Sequence, residues 1–215
     1  MKALPSPSAR CVIIGGAPIN NHADVRAYIS PDDFIIACDS GLYHTDALGV
    51  APDLIIGDFD SHPAPHTAVE TIRLPCEKDD TDTVYAVREA VRRGFSDFLL
   101  LGVVGGRLDH TLGNVSILLF LDSHGLRGKI VDDTSEYEIV SSTPVMIPDT
   151  YAFFSLLNIS GKADGVTVTG AKYPLTDAGI DCEYQYGISN EVVPKDTATV
   201  SVRDGRLLLC KVRHE

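Results

Sequence analysis

Basic residues are scarce in this sequence: 18 lysines and arginines stand against 30 aspartates and glutamates, a formal net charge of −12. Binding along a phosphate backbone needs a basic patch, so no nucleic-acid partner is expected. A small anionic substrate stays compatible, provided a metal ion and a few local cations mask the field. No apolar run approaches the length of a membrane span, and no membrane partner is expected. The first ten residues hold two prolines and lack the basic-then-apolar layout of a signal peptide. The five cysteines, Cys11, Cys38, Cys76, Cys182 and Cys210, form no C-x-x-C pair. That argues against zinc and against a disulfide framework; several lie in apolar runs and are expected to be reduced core residues of a cytoplasmic protein. The seven histidines make no H-x-x-x-H pair, and G-x-S-x-G, G-x-x-x-x-G-K-[ST] and G-x-G-x-x-G are all missing. Zincin chemistry, a nucleophile elbow, a P-loop and a standard dinucleotide fingerprint are therefore unsupported. No internal repeat stands out.

What is present is an ordinary globular composition, 44% hydrophobic and 22% charged over 215 residues, ample for one large domain or two modest ones. The stretch richest in chemistry is Pro52-Asp53-Leu54-Ile55-Ile56-Gly57-Asp58-Phe59-Asp60-Ser61. A short apolar run predicts a buried strand, which meets a glycine and two aspartates one residue apart. If the chain stays extended past Gly57, Asp58 and Asp60 point the same way, with Phe59 opposite. Their repulsion is relieved by a cation between them, and Mg²⁺ favours carboxylates with phosphate oxygens. The plain alternative is an Asx-rich turn.

Buried strands are predicted at Cys11–Ile14, Phe34–Cys38, Phe98–Val104 and Arg127–Val131. Helices are predicted over Asn21–Ile29, over Leu42–Leu48, from Thr83 with Val84, Val87 and Val91 on one face and Ala86 and Ala90 beside it, and around Leu112, Val115, Leu118 and Leu119. Alternating strands and helices predict an α/β unit with a doubly wound, mostly parallel sheet over residues 1–134. From residue 135 to 215 the pattern turns to β, with strands in Tyr151–Ile159, Gly165–Gly170 and Ala198–Val212. There Thr197, Thr199 and Ser201 alternate with Ala198, Val200 and Val202, the period of a half-exposed antiparallel strand. Asp204-Gly205 predicts a hairpin, and the whole segment a small antiparallel β-sandwich or barrel.

Three acidic clusters follow strands or open helices: Asp58/Asp60, Asp79/Asp80/Asp82 and Asp109. Taken singly, Asp80, Thr81 and Asp109 also read as helix caps. In a doubly wound sheet, however, the ends of successive parallel strands share one rim, so all three clusters would face one crevice. That much acid calls for a divalent metal, and Lys78, Arg107 and the amides of Gly105 and Gly106 are complementary donors for a polyphosphate. His110 follows directly at the same rim. Ser189-Asn190, between candidate strands, reads as turn chemistry or as hydrogen bonds to a small ligand.

These pieces, Asp39-Ser40-Gly41, Pro52 through Ser61, Lys78-Asp79 with Thr81-Asp82, Gly105 through His110 with Asn114, and Ser189-Asn190, occur in an order and spacing that resembles the thiamin pyrophosphokinases. The resemblance covers nearly the whole chain. It implies a Rossmann-like nucleotide-binding catalytic domain followed by a thiamin-binding β domain, and transfer of diphosphate from ATP to the hydroxyl of thiamin. It further implies Mg²⁺ on Asp58, Asp60 and Asp82, with Asp109 joining them as a catalytic residue. Substrate contacts are implied for Asp39, Lys78, Asp79, Thr81, Gly105, Gly106, Arg107, His110 and Asn114. A homodimer is implied, in which Ser189 and Asn190 of one copy meet thiamin on the other. The family more often has Asp-Gly-Gly-Ala-Asn where this chain has Asp39-Ser40-Gly41-Leu42-Tyr43. No tryptophan is present to stack on the thiamin pyrimidine, as occurs in some members; Tyr184 and Tyr186 are aromatic candidates, and the sequence assigns none. Two other functions fit the same residues: a non-catalytic nucleotide or thiamin-diphosphate sensor, and a kinase that transfers only the γ-phosphoryl group.

Overall fold

Continuous apolar runs build the first sheet. The computed structural model describes residues 9–60, 67–77 and 79–214, and the chain divides into two units after Asp133. In the first unit the order is β1 (Arg10–Ile14), α1 (His22–Arg26), β2 (Phe34–Cys38), α2 (Leu42–Leu48), β3 (Leu54–Gly57), β4 (Glu70–Arg73), α3 (Asp82–Arg92), β5 (Asp97–Leu101), α4 (Leu108–Ser123) and β6 (Arg127–Val131). All of β3 and the last four residues of β1, β2 and β5 are buried, as strands covered on both faces must be. The strands lie in the order β6-β5-β1-β2-β3-β4, each neighbouring pair parallel. The chain steps outward from β1 to β4, then returns to the other flank of β1 as β5. That reversal opens a crevice at the carboxyl ends of the strands, the position where such sheets bind ligands.

Two helices differ from the sequence expectation, each for a polar reason. Thr81 caps α3, its Oγ1 accepting from the Val84 amide at 3.3 Å. The helix then buries Val87, the Ala86 and Ala90 expected beside it, and in addition Glu89, while Val84 and Val91 are only half-buried. Glu89 is tolerated inside because Arg92 and Arg93 donate to it at 2.6 and 2.8 Å. Arg93 also reaches Glu70 of β4 at 2.6 Å, tying the helix to the edge strand. In α4 the buried face is Asn114, Ile117, Leu118 and Leu121, so Leu112 is left 59% exposed. A polar residue belongs to that face because Asn114 Nδ2 donates to the Val103 carbonyl at 2.8 Å.

The second unit is a β-sandwich of β7 (Ser135–Val140), β8 (Val145–Pro148), β9 (Phe153–Leu157), β10 (Lys162–Thr169), β11 (Leu175–Asp181), β12 (Gly187–Asn190), β13 (Thr197–Ser201) and β14 (Leu207–Val212). One antiparallel sheet runs β12-β9-β14-β7 and the other β11-β10-β13-β8. Phe154, Leu156, Leu207 and Leu209 meet Val166, Val168, Ala198 and Val200 between them. The alternation in β13 holds, with Ala198 and Val200 inside. The expected Asp204-Gly205 hairpin does not form: β13 and β14 belong to opposite sheets. Asp204 instead bridges Asp164, and the connection passes from one sheet to the other. Lys211 continues the inward row of Leu207 and Leu209, and its ammonium meets Glu138 at 2.6 Å and Glu136 at 3.1 Å. All five cysteines are free; Cys11 and Cys38 are buried, but Cys76 and Cys182 are exposed, so the core expectation holds only in part.

Candidate active site

The carboxyl ends of β2 and β3 set the central geometry. Cys38 pairs with Ile56, so the next residue of β2's chain, Asp39, stands beside Gly57 and close to Asp58. A Cβ on Gly57 would lie 3.1 Å from the Asp39 Cβ, and one on Gly41 would lie 2.0 Å from the Ile14 carbonyl oxygen. The absent side chains let the two strand ends and the short Asp39–Gly41 helical turn close together. Asp39 takes φ +37°, a strained value for a residue with a side chain. The first residue of α3, Asp82, completes the group: one carboxylate oxygen each from Asp39, Asp58 and Asp82 lie within 4.8 Å of one another. Oδ1 of Asp39 is buried and accepts no hydrogen bond.

Asp60 lies outside this trio. Phe59 adopts φ +54°, so the chain turns and the alternation that would align Asp58 with Asp60 is broken. Arg73 stands 5.7 Å from the centre of the Phe59 ring. The Asp60 amide donates to Asp58 Oδ1 at 3.3 Å, while its own side chain is exposed.

Beside the trio is a cavity of about 360 Å³ that Asp39 and Asp82 line but Asp58 does not; Thr81, Gly105, Gly106, Arg107, His110 and Asn114 complete the lining among the residues the sequence singled out. Gly16, Ala17 and Pro18, in the connection after β1, form one wall of it. Arg107 pairs with Asp109, Nη2 to Oδ2 at 2.6 Å, and both are well exposed. That hydrogen bond holds the Asp109 carboxyl below the ordinary range. Asp109 is therefore bound to Arg107 and away from the acidic trio, and Arg107 itself is the N-cap residue of α4. Asp79 is exposed, and Asp80 pairs with Arg88. Lys78 and Ser61 lie outside the described residues. In the second unit, Asn190 is buried, and its amide accepts from Tyr173 N at 3.0 Å and donates to Tyr173 O at 2.8 Å. Ser189, at φ +56°, donates from its backbone amide to Ser155 Oγ at 3.0 Å.

Fold and site define an α/β protein with a carboxylate-lined nucleotide-type cavity at the sheet's switch point, joined to a β-sandwich. The family model described as thiamin pyrophosphokinase, catalytic domain, matches residues 25–130, and that described as thiamin pyrophosphokinase, vitamin B1 binding domain, matches residues 142–207. The chain belongs to the thiamin pyrophosphokinase family. A thiamine pyrophosphokinase of Bacillus subtilis is 26% identical over 211 residues, covering 93% of this chain and 96% of that protein. The crystal structure of thiamin pyrophosphokinase from Geobacillus thermodenitrificans superposes with a TM-score of 0.82 at 29% identity, over 96% of this chain and 98% of that one. The crystal structure from Bacillus subtilis gives a TM-score of 0.85 at 24% identity, over 97% and 100%.

Proposed function

We propose that the protein is a thiamin pyrophosphokinase that moves the terminal diphosphate of ATP onto thiamin. The observation that carries this reading is the convergence of Asp39, Asp58 and Asp82 beside the switch-point cavity, in a chain of this family. The hydroxyl oxygen of thiamin bonds to the β-phosphorus, the bridge to the α-phosphorus breaks, AMP leaves, and the hydroxyl proton is released. For such a transfer the protein's task is positioning and charge neutralisation.

The trio fits Mg²⁺: three carboxylates each offer a hard oxygen ligand within 4.8 Å of the others, and the buried Oδ1 of Asp39 accepts no hydrogen bond. Asp39, Asp58 and Asp82 would hold the ion, with Asp60 at the edge of the group. The chemistry it supplies is neutralisation of the charge on the phosphate oxygens. Arg107 and Gly106 line the same cavity and bind polyphosphate oxygens, whereas the Gly105 amide is already given to Thr111 Oγ1 at 3.1 Å. His110 lines it too, and Thr81 and Asn114 serve chiefly by capping α3 and fixing the loop before α4. Incubation with thiamin, ATP and Mg²⁺ is expected to yield thiamin diphosphate and AMP in equal amounts. ADP would show γ-phosphoryl transfer, and binding without turnover would show a sensor.

Thiamin falls to the β-sandwich, as the vitamin B1 binding model over residues 142–207 supports. Here the ring contact moves from Tyr184 or Tyr186 to Tyr173. Tyr184 and Tyr186 tilt against each other at 5.4 Å, and the Tyr186 hydroxyl donates to Gly179 O. Tyr173 is clamped on both sides of its backbone by Asn190 while its ring stays 58% exposed. Replacing Tyr173 by alanine is expected to raise KM for thiamin about tenfold, and by phenylalanine to change it little. An unchanged KM in the alanine variant would remove Tyr173 from the site. We read the assembly as a homodimer in which Ser189 and Asn190 of one copy serve thiamin held at the trio of the other. No described helix is long and apolar enough to cross a membrane. The free thiols suit a reducing, cytoplasmic location.

A further inference from the structure

The connection from β1 to α1 forms one wall of the cavity through Gly16, Ala17 and Pro18, and it is braced by residues outside every motif named above. Its near end is fixed by the Ala17 amide, which donates to the Gly102 carbonyl at 2.8 Å. At its far end the Asp133 carboxylate accepts from the amides of Asn20 and Asn21 at 2.9 and 2.8 Å. Between these points the Ala17 carbonyl meets Nε2 of His44 at 3.0 Å, and Nδ1 of His44 meets Nε2 of His22 at 3.1 Å.

These contacts assign the tautomers. A carbonyl only accepts, so His44 carries its hydrogen on Nε2; neutral His44 then offers a lone pair at Nδ1, and His22 donates to it. Burial pushes His44 below the ordinary imidazole range; the Ala17 carbonyl opposes this, His22 adds to it, and Asp133 opposes it. His44 is therefore neutral at pH 7, and the relay from His22 to His44 to Ala17 is intact.

We propose that His44, oriented by His22, is a positioning residue for ATP: it fixes the Ala17 carbonyl and so the wall that the nucleotide meets. The inference rests on the cavity being the ATP site. The groups facing His44 are His22 from α1, the Ala17 carbonyl and, after β6, the Asp133 carboxylate. A proton on His44 Nδ1 removes the acceptor that His22 uses. The lowered His44 value means that the brace is present at neutral pH and lost as the pH falls through it, below about 6.5.

The test is calorimetric titration of the full chain with ATP and Mg²⁺, alongside kinetics. His44→Ala is expected to weaken ATP binding about tenfold, with the kinetic loss falling on KM and not on kcat. His44→Gln, whose amide donates from the same place as Nε2, is expected to recover affinity to within about threefold of the unaltered chain. The unaltered chain should lose ATP affinity as the pH falls below about 6.5, and His44→Gln should not lose it there. Equal affinity in the unaltered chain and His44→Ala, or the same acid weakening in His44→Gln, overturns the proposal. Should His44→Ala fail to fold, the comparison of the unaltered chain with His44→Gln across pH decides. A folded, unaltered chain that does not bind ATP would sink the nucleotide reading itself, and the brace with it.

Discussion

Asp58→Asn is expected to lower the rate of AMP release at least about a hundredfold at saturating substrates, with the fold intact. The substitution keeps shape and the oxygen that accepts the Asp60 amide at 3.3 Å, but removes one of three charges gathered within 4.8 Å. Like charges so close destabilise the protein without a cation, so the loss of one does not weaken the fold. Circular dichroism and the thermal midpoint should stay near those of the unaltered chain. Asp60→Asn is the informative partner. Its carboxylate stands outside the trio, and its loss is expected to be nearer tenfold. Unchanged turnover in Asp58→Asn would remove the trio from the reaction, and a larger loss in Asp60→Asn would move the ion toward Asp60.

The second large effect concerns stability. Lys211→Met is expected to destabilise the sandwich by about 3–5 kcal/mol, the order seen when one partner of a buried ion pair is deleted. Lys211 is 6% exposed and lies within 3.1 Å of Glu136, which is 4% exposed, and within 2.6 Å of Glu138. The Tyr151 hydroxyl also donates to Glu136 at 2.7 Å, and the ammonium lies 5.1 Å from the centre of its ring. Deleting the cation leaves two carboxylates sheltered without their common counter-ion. Burial works against the charge on Lys211, but Glu138 and then Glu136 outweigh it and raise its pKa. A raised pKa means stability that is whole below lysine's ordinary value of about 10.4 and is lost only as the pH climbs beyond it. Urea unfolding should therefore show a constant gap between the two proteins through neutral pH. A gap under about 1 kcal/mol would place the pair among those that contribute little.

The architecture was legible because burial on both faces leaves its mark: the runs Cys11–Ile14, Ile35–Cys38, Leu54–Gly57 and Phe98–Leu101 carry no polar side chain and are fully buried. The acid that follows them was legible for the same reason, since a polar residue at the end of such a run stands at the sheet's rim. Asp39 as a partner of Asp58 was harder to see. It depends on β2 lying beside β3 in a register that pairs Cys38 with Ile56, and adjacency is a property of the sheet and not of the string. The Asp58/Asp60 alignment failed at one backbone angle, that of Phe59. The buried face of α4 was misjudged because hydropathy gives Asn114 no weight, although its amide fits the Val103 carbonyl. Nothing in the letters links His22 with His44; their meeting needs α1 and α2 packed side by side.

The passage of the chain from β13 to β14 has a bearing on synthesis. β14 is the last of the eight sandwich strands to be made, yet it lies between β7 and β9, which are made much earlier. Those two can join only when the final strand slots between them, whereas the six parallel strands have all been made before the first sandwich strand is laid down. A nascent chain thus carries its phosphate-handling machinery ready-built while the vitamin-holding half still waits for its keystone.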